Sequence, residues 1–190
     1  GGASLQLSLL WNCGGDGGVG DVHQKAFLQS MNRSFLFSCL AFGTLNFIGL
    51  AIGGMATGPG VVSDWYASLE KAPWTPPGWV FGAAWTLVMV GFSGFMARWW
   101  THAKSQGTES KVRQGFALAW VLNVAWNPLF FGAHEAGWAL VEILTLFTVI
   151  VALARQGWSH SGSARWGILP YLIWLFVATS LNGFVVWANP

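Results

Sequence analysis

From Ser34 onward the chain carries five long, predominantly apolar segments separated by short polar connections, at about residues 34–56, 79–100, 115–133, 137–155 and 166–188. Each is long enough to cross about 30 Å of hydrocarbon as a helix rising about 1.5 Å per residue. Each is also apolar around most of its circumference, the pattern of helices embedded in lipid rather than of amphipathic helices resting on a soluble core. A closed β-barrel is the other structure that satisfies its own backbone in a bilayer. It needs segments of about ten residues alternating apolar and polar, and these runs do not alternate. The expected fold is therefore all-α, an integral membrane bundle of five transmembrane helices.

Charge agrees with that expectation. Only 8% of the residues are charged and 54% are hydrophobic, with a formal net charge of +2. The bases are scattered rather than gathered into a patch, so nothing supports nucleic-acid binding. Cys13 and Cys39 form neither a CxxC pair nor a metal-ligand spacing.

Residues 1–30 differ in kind from the rest. They are rich in Gly, Ser and Gln, include the run GGDGGVGD, and hold apolar stretches too short to span a bilayer. No basic region followed by an uninterrupted apolar stretch marks a secretory signal. The expectation is a disordered leader or a non-native extension ahead of Met31, with an interaction tail as the remaining option, followed by a membrane domain over 31–190.

Assigning the connections alternately to two sides places Lys25, Arg33, Arg98, Lys104, Lys111, Arg113, Arg155 and Arg165 on one side and Lys71 alone on the other. Under the positive-inside rule the N-terminus is expected in the cytoplasm and the C-terminus on the opposite face.

Inside the spans, Glu142 is the only acid, and no Lys, Arg or His is available as a partner at its depth. It is either a functional carboxyl or a protonated one bonded to a neighbouring helix. Counting inward from the helix ends places Asn123, Asn127, Asn182, Glu142 and Trp85 in the outer half, with Asn46 near mid-depth. This predicts an aromatic-lined apolar cavity carrying a few amides and open toward the first outer connection. Asn123 and Asn127 share one helix face, and Pro128 withholds a hydrogen bond from the carbonyl of Val124, so a kink or side-chain substitute is expected there. Either asparagine alone also reads as glue between helices.

The first outer connection is the most distinctive stretch. It contains Trp65, Tyr66 and Trp74, and the prolines Pro73, Pro76 and Pro77 stiffen it just before the second span. It is either a lid over the cavity or a belt of interfacial aromatics.

The string WYASLEKAPWTPPGWVF, followed by Trp85, NVAWNPLFF at 123–131 and LPYLIWLFVATSLN at 169–182, resembles the TspO/MBR family of tryptophan-rich sensory and translocator proteins. The similarity runs from about Arg33 to Asn189. It implies a five-helix bundle, often a homodimer, that binds porphyrins such as protoporphyrin IX and haem, benzodiazepine-type ligands and, in some members, sterols. Carried over residue by residue, it implies a ligand site of Tyr66, Pro76, Phe81, Trp85, Met89, Asn123, Asn127, Phe130, Glu142, Trp174, Ala178 and Leu181. Two positions depart from the family pattern: Ala72 interrupts the usual Lys-Pro junction, and Met89 stands where an aromatic is common.

The residues themselves limit the ligand. Val62, Tyr66 and Lys71 meet a loose sterol pattern, but in the loop rather than on the last helix, where VVWANP offers neither Tyr nor a base. None of the histidines at 23, 102, 134 and 160 lies within a span to ligate haem iron. The expectation is that no cofactor and no metal is required, and that porphyrin is a ligand held by stacking and apolar burial.

Three function classes follow: a membrane receptor or sensor for a tetrapyrrole, a light- and oxygen-dependent porphyrin-degrading enzyme with Trp74 and Trp85 as candidate catalytic residues, and a transporter of porphyrin or sterol-like molecules. Five helices do not divide into two equal repeats, which counts against the transporter. Gly49 and Gly53 form a GxxxG in the first span, a place for close helix approach.

Overall fold

The computed structural model describes the backbone of residues 17–190 and the side chains from Arg33 onward. The chain divides into two units, Gly1–Ser34 and Phe35–Pro190. Of the expected leader, residues 1–16 lie outside the described residues, and from Gly17 the backbone is helical.

All regular elements among the described residues are helical. They are α1 (Gly17–Val61), a short α2 (Asp64–Ser68), α3 (Gly78–Ser105), α4 (Glu109–Asn127), a π-helical turn (Pro128–Gly132), α5 (Ala136–Gly157), a 3-10 segment (Gly162–Ile168) and α6 (Leu169–Ala188). Five of these stretches are long and apolar enough to cross a membrane: Arg33–Val61, Gly78–Ser105, Glu109–Gly132, Ala136–Gly157 and Gly162–Ala188. The helices overrun the expected spans at several ends because a helix does not stop where apolar residues stop. It stops where the backbone is turned. After α3 this occurs at Gly107, whose φ of +66° is left-handed and open to glycine at little cost. Before α3, Pro77 enters extended, and before α6 a proline fits the first turn, where no amide donor is needed.

Within Phe35–Pro190, α3, α4, α5 and α6 form a closed ring in which each helix packs on its two neighbours. Helix α1 lies against α3 and α4. Asn46 Nδ2 donates to Ser93 Oγ at 2.9 Å, Trp120 Nε1 donates to the Leu45 carbonyl at 2.8 Å, and Phe42 meets the edge of Phe116. Gly49 and Gly53 also belong to this contact. A Cβ on Gly49 would come 2.8 Å from Trp120 Nε1, and one on Gly53 would come 2.5 Å from Asn127 Nδ2. The GxxxG of the first span is thus used inside the chain, against α4.

The fully buried side chains include Phe92, Phe95, Met96, Leu146, Ile150, Ile168, Tyr171 and Leu175. At the end of the ring bearing the basic connections, hereafter the basic end, helices approach through glycines. Gly157 makes room for Phe95 and Trp99, Gly115 for Leu153, and Gly91 and Gly167 meet backbone to backbone. Side chains at these points would force the helices apart, so the packing there depends on their absence.

Candidate functional site

The opposite end, hereafter the loop end, is built differently. Two adjoining cavities lie there. The first, of about 40 Å³, is enclosed by all four ring helices: Phe81 and Trp85 of α3, Asn123 and Trp126 of α4, Ile143 and Leu146 of α5, and Trp174, Leu175 and Ala178 of α6. The second, of about 70 Å³, lies under the loop and is lined by Tyr66, Lys71, Thr75, Phe130, Phe131, Leu181, Asn182 and Val185 as well. Phe81, Trp126 and Ala178 line both. These three side chains form the wall between the cavities.

The first cavity is mostly indole and aliphatic surface. Phe81 meets Trp174 edge to face at 5.3 Å, and Trp85 does the same with Tyr171 at 6.1 Å and Trp174 at 6.3 Å. Such T-shaped contacts fix ring orientation beyond simple burial. Asn123 brings the amide: its Nδ2 donates to the Tyr171 hydroxyl at 2.8 Å. The Trp174 indole N–H and both Glu142 carboxyl oxygens are buried without a hydrogen-bond partner. A buried polar atom left unpaired costs on the order of 1–3 kcal/mol, so each is a place where a bound group could repay a deficit.

In the second cavity Trp126 Nε1 donates to Asn182 Oδ1 at 3.1 Å, and Asn182 Nδ2 donates to the Ala136 carbonyl at 2.9 Å. Asn182 therefore ties α4 and α6 to the start of α5. Trp126 stacks on Phe130 at 4.9 Å, and that stack continues edge to face into Phe131.

The connection 62–77 closes this end and is fastened at three points. Trp65 stacks on His134 at 4.3 Å and meets Phe130 edge to face. The Glu70 amide donates to Asn189 Oδ1 at 2.9 Å, and Asn189 Nδ2 donates back to the Glu70 carbonyl at 3.1 Å. Trp74 Nε1 donates to Ser180 Oγ at 3.2 Å, with its ring against Phe184. Under the connection, Lys71 Nζ sits 4.5 Å from the Tyr66 ring centre, and burial raises the Tyr66 phenol above its ordinary pKa. His134 holds a left-handed φ of +60°, a strained conformation for a non-glycine residue, at the point where Trp65 covers it.

The structure brings Phe81, Trp85, Asn123, Trp174 and Ala178 together in the first cavity, and Tyr66, Phe130 and Leu181 in the second. Four other residues of the expected site line neither cavity. Met89 is buried in the core below them, and Pro76 lies at the foot of the loop. Glu142 is buried on α5 beside the cavity residues Ile143 and Leu146. Asn127 turns to α1, where its Oδ1 accepts from Thr57 Oγ1 at 2.7 Å. The kink expected at Pro128 takes the form of the π-helical turn. Of the two tryptophans proposed for chemistry, Trp85 lines the first cavity and Trp74 lies outside both, half exposed.

Lys71, Thr75, Trp126, Phe131, Ile143, Leu146, Leu175 and Val185 line the cavities without belonging to the expected site, and Asn182, expected in the outer half by depth, lines the second. A signal for some of them exists in the sequence. Trp126 falls one turn from Asn123, and Ala178, Asn182 and Val185 repeat along one face of the last helix with Trp174.

The TspO/MBR family model matches residues 40–188. The chain is similar to the Translocator protein of Bos taurus, 38% identical over 121 residues that cover 62% of this chain and 70% of the relative. It is 36% identical over 123 residues to the Tryptophan-rich protein TspO of Archaeoglobus fulgidus, covering 64% of this chain and 77% of that one. Against the Tryptophan-rich protein TspO of Chlorobaculum tepidum it is 31% identical over 166 residues, covering 84% of this chain and all of the relative. A multi-pass helical membrane protein with this match over most of its length belongs to the TspO/MBR family.

Proposed function

We propose that this protein is a membrane receptor that binds a tetrapyrrole of the protoporphyrin IX type, or a similar flat hydrophobic molecule, in the cavities of the loop end. The observation that carries the proposal is the shared wall of Phe81, Trp126 and Ala178 between two aromatic cavities. Drug-sized ligands occupy sites of about 300–1,000 Å³, well above about 40 and 70 Å³. Entry of a porphyrin therefore requires Phe81 and Trp126 to swing aside, joining the cavities, and the fastened loop to lift. Nothing in this route demands an iron ligand: stacking on Trp85 and Trp174 and burial supply the binding.

The same proposal places the loop end at the outer leaflet and the basic end in the cytoplasm, supported by the eight-to-one distribution of Lys and Arg. Labelling of a cysteine at position 104 by a membrane-impermeant reagent added outside intact cells would contradict that orientation.

Titrating the purified protein with protoporphyrin IX while following tryptophan fluorescence tests the receptor reading. Saturable quenching at one ligand per chain is expected. Quenching that rises linearly with pigment, as it does for partition into detergent, would sink it.

A further inference from the structure

The basic end holds a second cluster that the ligand cavities do not involve. Ser161 is fully buried; its hydroxyl donates to the Gly157 carbonyl at the end of α5 at 2.8 Å and lies 3.5 Å from the Phe95 carbonyl of α3, which seats the turn on α3. Gly162, at φ +52°, completes that turn, and a Cβ there would lie 3.9 Å from Arg98 Nε. One turn further along α3, the His102 ring stacks on His160 at 4.6 Å. From the 3-10 segment, the Arg165 guanidinium lies 5.6 Å from the ring centres of both Trp158 and Trp166. Arg98 and the paired imidazoles thus border the turn at 157–162, and Arg165 follows it three residues on, held against two tryptophans.

Among the described residues, Glu109 is the one carboxylate that the connections at this end offer them. One of its own oxygens is buried without a partner. Arg165 Nε is likewise buried without an acceptor. Packing against indole holds a guanidinium flat and leaves its N–H edge free. Such an edge matches the paired oxygens of a phosphate, and imidazole N–H groups add single donors. Indoles at the end of a membrane helix also belong at headgroup depth.

We infer that Arg98, His102, His160 and Arg165 form a phosphate-binding site at the basic end of the bundle. The phosphate could arrive as the headgroup of an anionic lipid or as a free ion. Either would neutralise the like charges of the two guanidinium groups.

Native mass spectrometry of the full chain in detergent, titrated with phosphatidylglycerol or phosphatidylcholine of the same acyl chains, tests the site. Phosphatidylglycerol should bind more tightly, and Arg98→Gln or Arg165→Gln should each weaken it by about fivefold, the effect of one surface cation. Lys111→Gln and Arg113→Gln, which remove exposed charge nearby, should leave that affinity unchanged. Should Arg165→Gln fail to fold, Arg98→Gln alone still decides. Sodium phosphate, compared with chloride at equal ionic strength, separates the sources. If phosphatidylglycerol is preferred and stays bound against phosphate, the lipid is the occupant; displacement by phosphate shows that ion and headgroup share the site. If the lipids bind equally yet phosphate raises the unfolding temperature of the wild type and not of Arg98→Gln, the free ion is. Equal binding of both lipids with no phosphate effect overturns the site, as does an equal loss from the Lys111 and Arg113 variants.

Discussion

The two ends of one helical ring solve opposite problems. At the basic end, glycines let α3, α4, α5 and the 3-10 segment approach so closely that a Cβ on Gly91, Gly115 or Gly157 would come within 2.5 Å of a neighbouring atom. At the loop end the same helices carry indoles and amides at facing positions, which hold each other apart around two cavities. Close packing there is replaced by directed contacts: edge-to-face rings, Asn123 to Tyr171 and Trp126 to Asn182. The lesson is that rigidity at one end allows openness at the other. A helix pair clamped at its base can tolerate side chains moving at its mouth without losing register.

The largest effect should come from attacking the clamp. Gly91→Val places a side chain into the backbone of Gly167, and the expected loss is about 3 kcal/mol, the upper part of the range for overpacking. Thermal unfolding in detergent should show it, with ligand binding lost only as the fold is lost.

Attacking the cavity should separate binding from stability. Trp85→Phe thins a wall of the first cavity while keeping a ring against Tyr171 and Trp174, so porphyrin affinity should fall by about 1 kcal/mol while the unfolding temperature moves little. Trp138→Ala, on an exposed surface of α5, is the control and should change neither. Equal losses from both would mean that binding reports general membrane partition.

A finer division falls within one helix. Asn123→Ala should weaken the ligand by about 1 kcal/mol, since this residue lines the cavity and positions Tyr171. Asn127→Ala should lower stability by a similar amount through its lost contact with Thr57 and leave affinity nearly unchanged. The reverse pattern, read from paired titrations and melts, would move the site toward α1.

That pair also marks how far the sequence is legible. Five spans, their helical character and the half of the bundle that holds the polar groups all follow from apolar runs and depth counting, because a bilayer imposes a fixed length and forbids unpaired backbone. Depth alone does not say which way a side chain points. Asn123 and Asn127 share a face in sequence spacing, yet one meets the cavity and the other meets Gly53, because α1 packs against the outer side of α4 just where the π-helical turn begins. Trp126 escaped notice for the same reason: its role as a wall depends on Phe81 and Ala178, which arrive from two other helices. The GxxxG was legible as a close approach but not as an approach to α4, since the motif carries no mark of its partner.

The smallest effect expected is at the lid. Asn189→Ala removes the paired hydrogen bonds to Glu70, and the porphyrin dissociation rate should rise about fivefold, in keeping with a net loss of about 1 kcal/mol, while the association rate stays within about twofold. Stopped-flow fluorescence reads both. An unchanged dissociation rate would show that the connection covers the cavity without retaining its occupant.

Crystals grown with zinc protoporphyrin IX would locate the ligand directly, through the anomalous scattering of the metal. The predicted result is a single peak inside the ring at the loop end, with the macrocycle against Trp85 and Trp174 and the side chains of Phe81 and Trp126 displaced. A peak at the basic end beside His102 and His160, or on the lipid-facing surface, would contradict it.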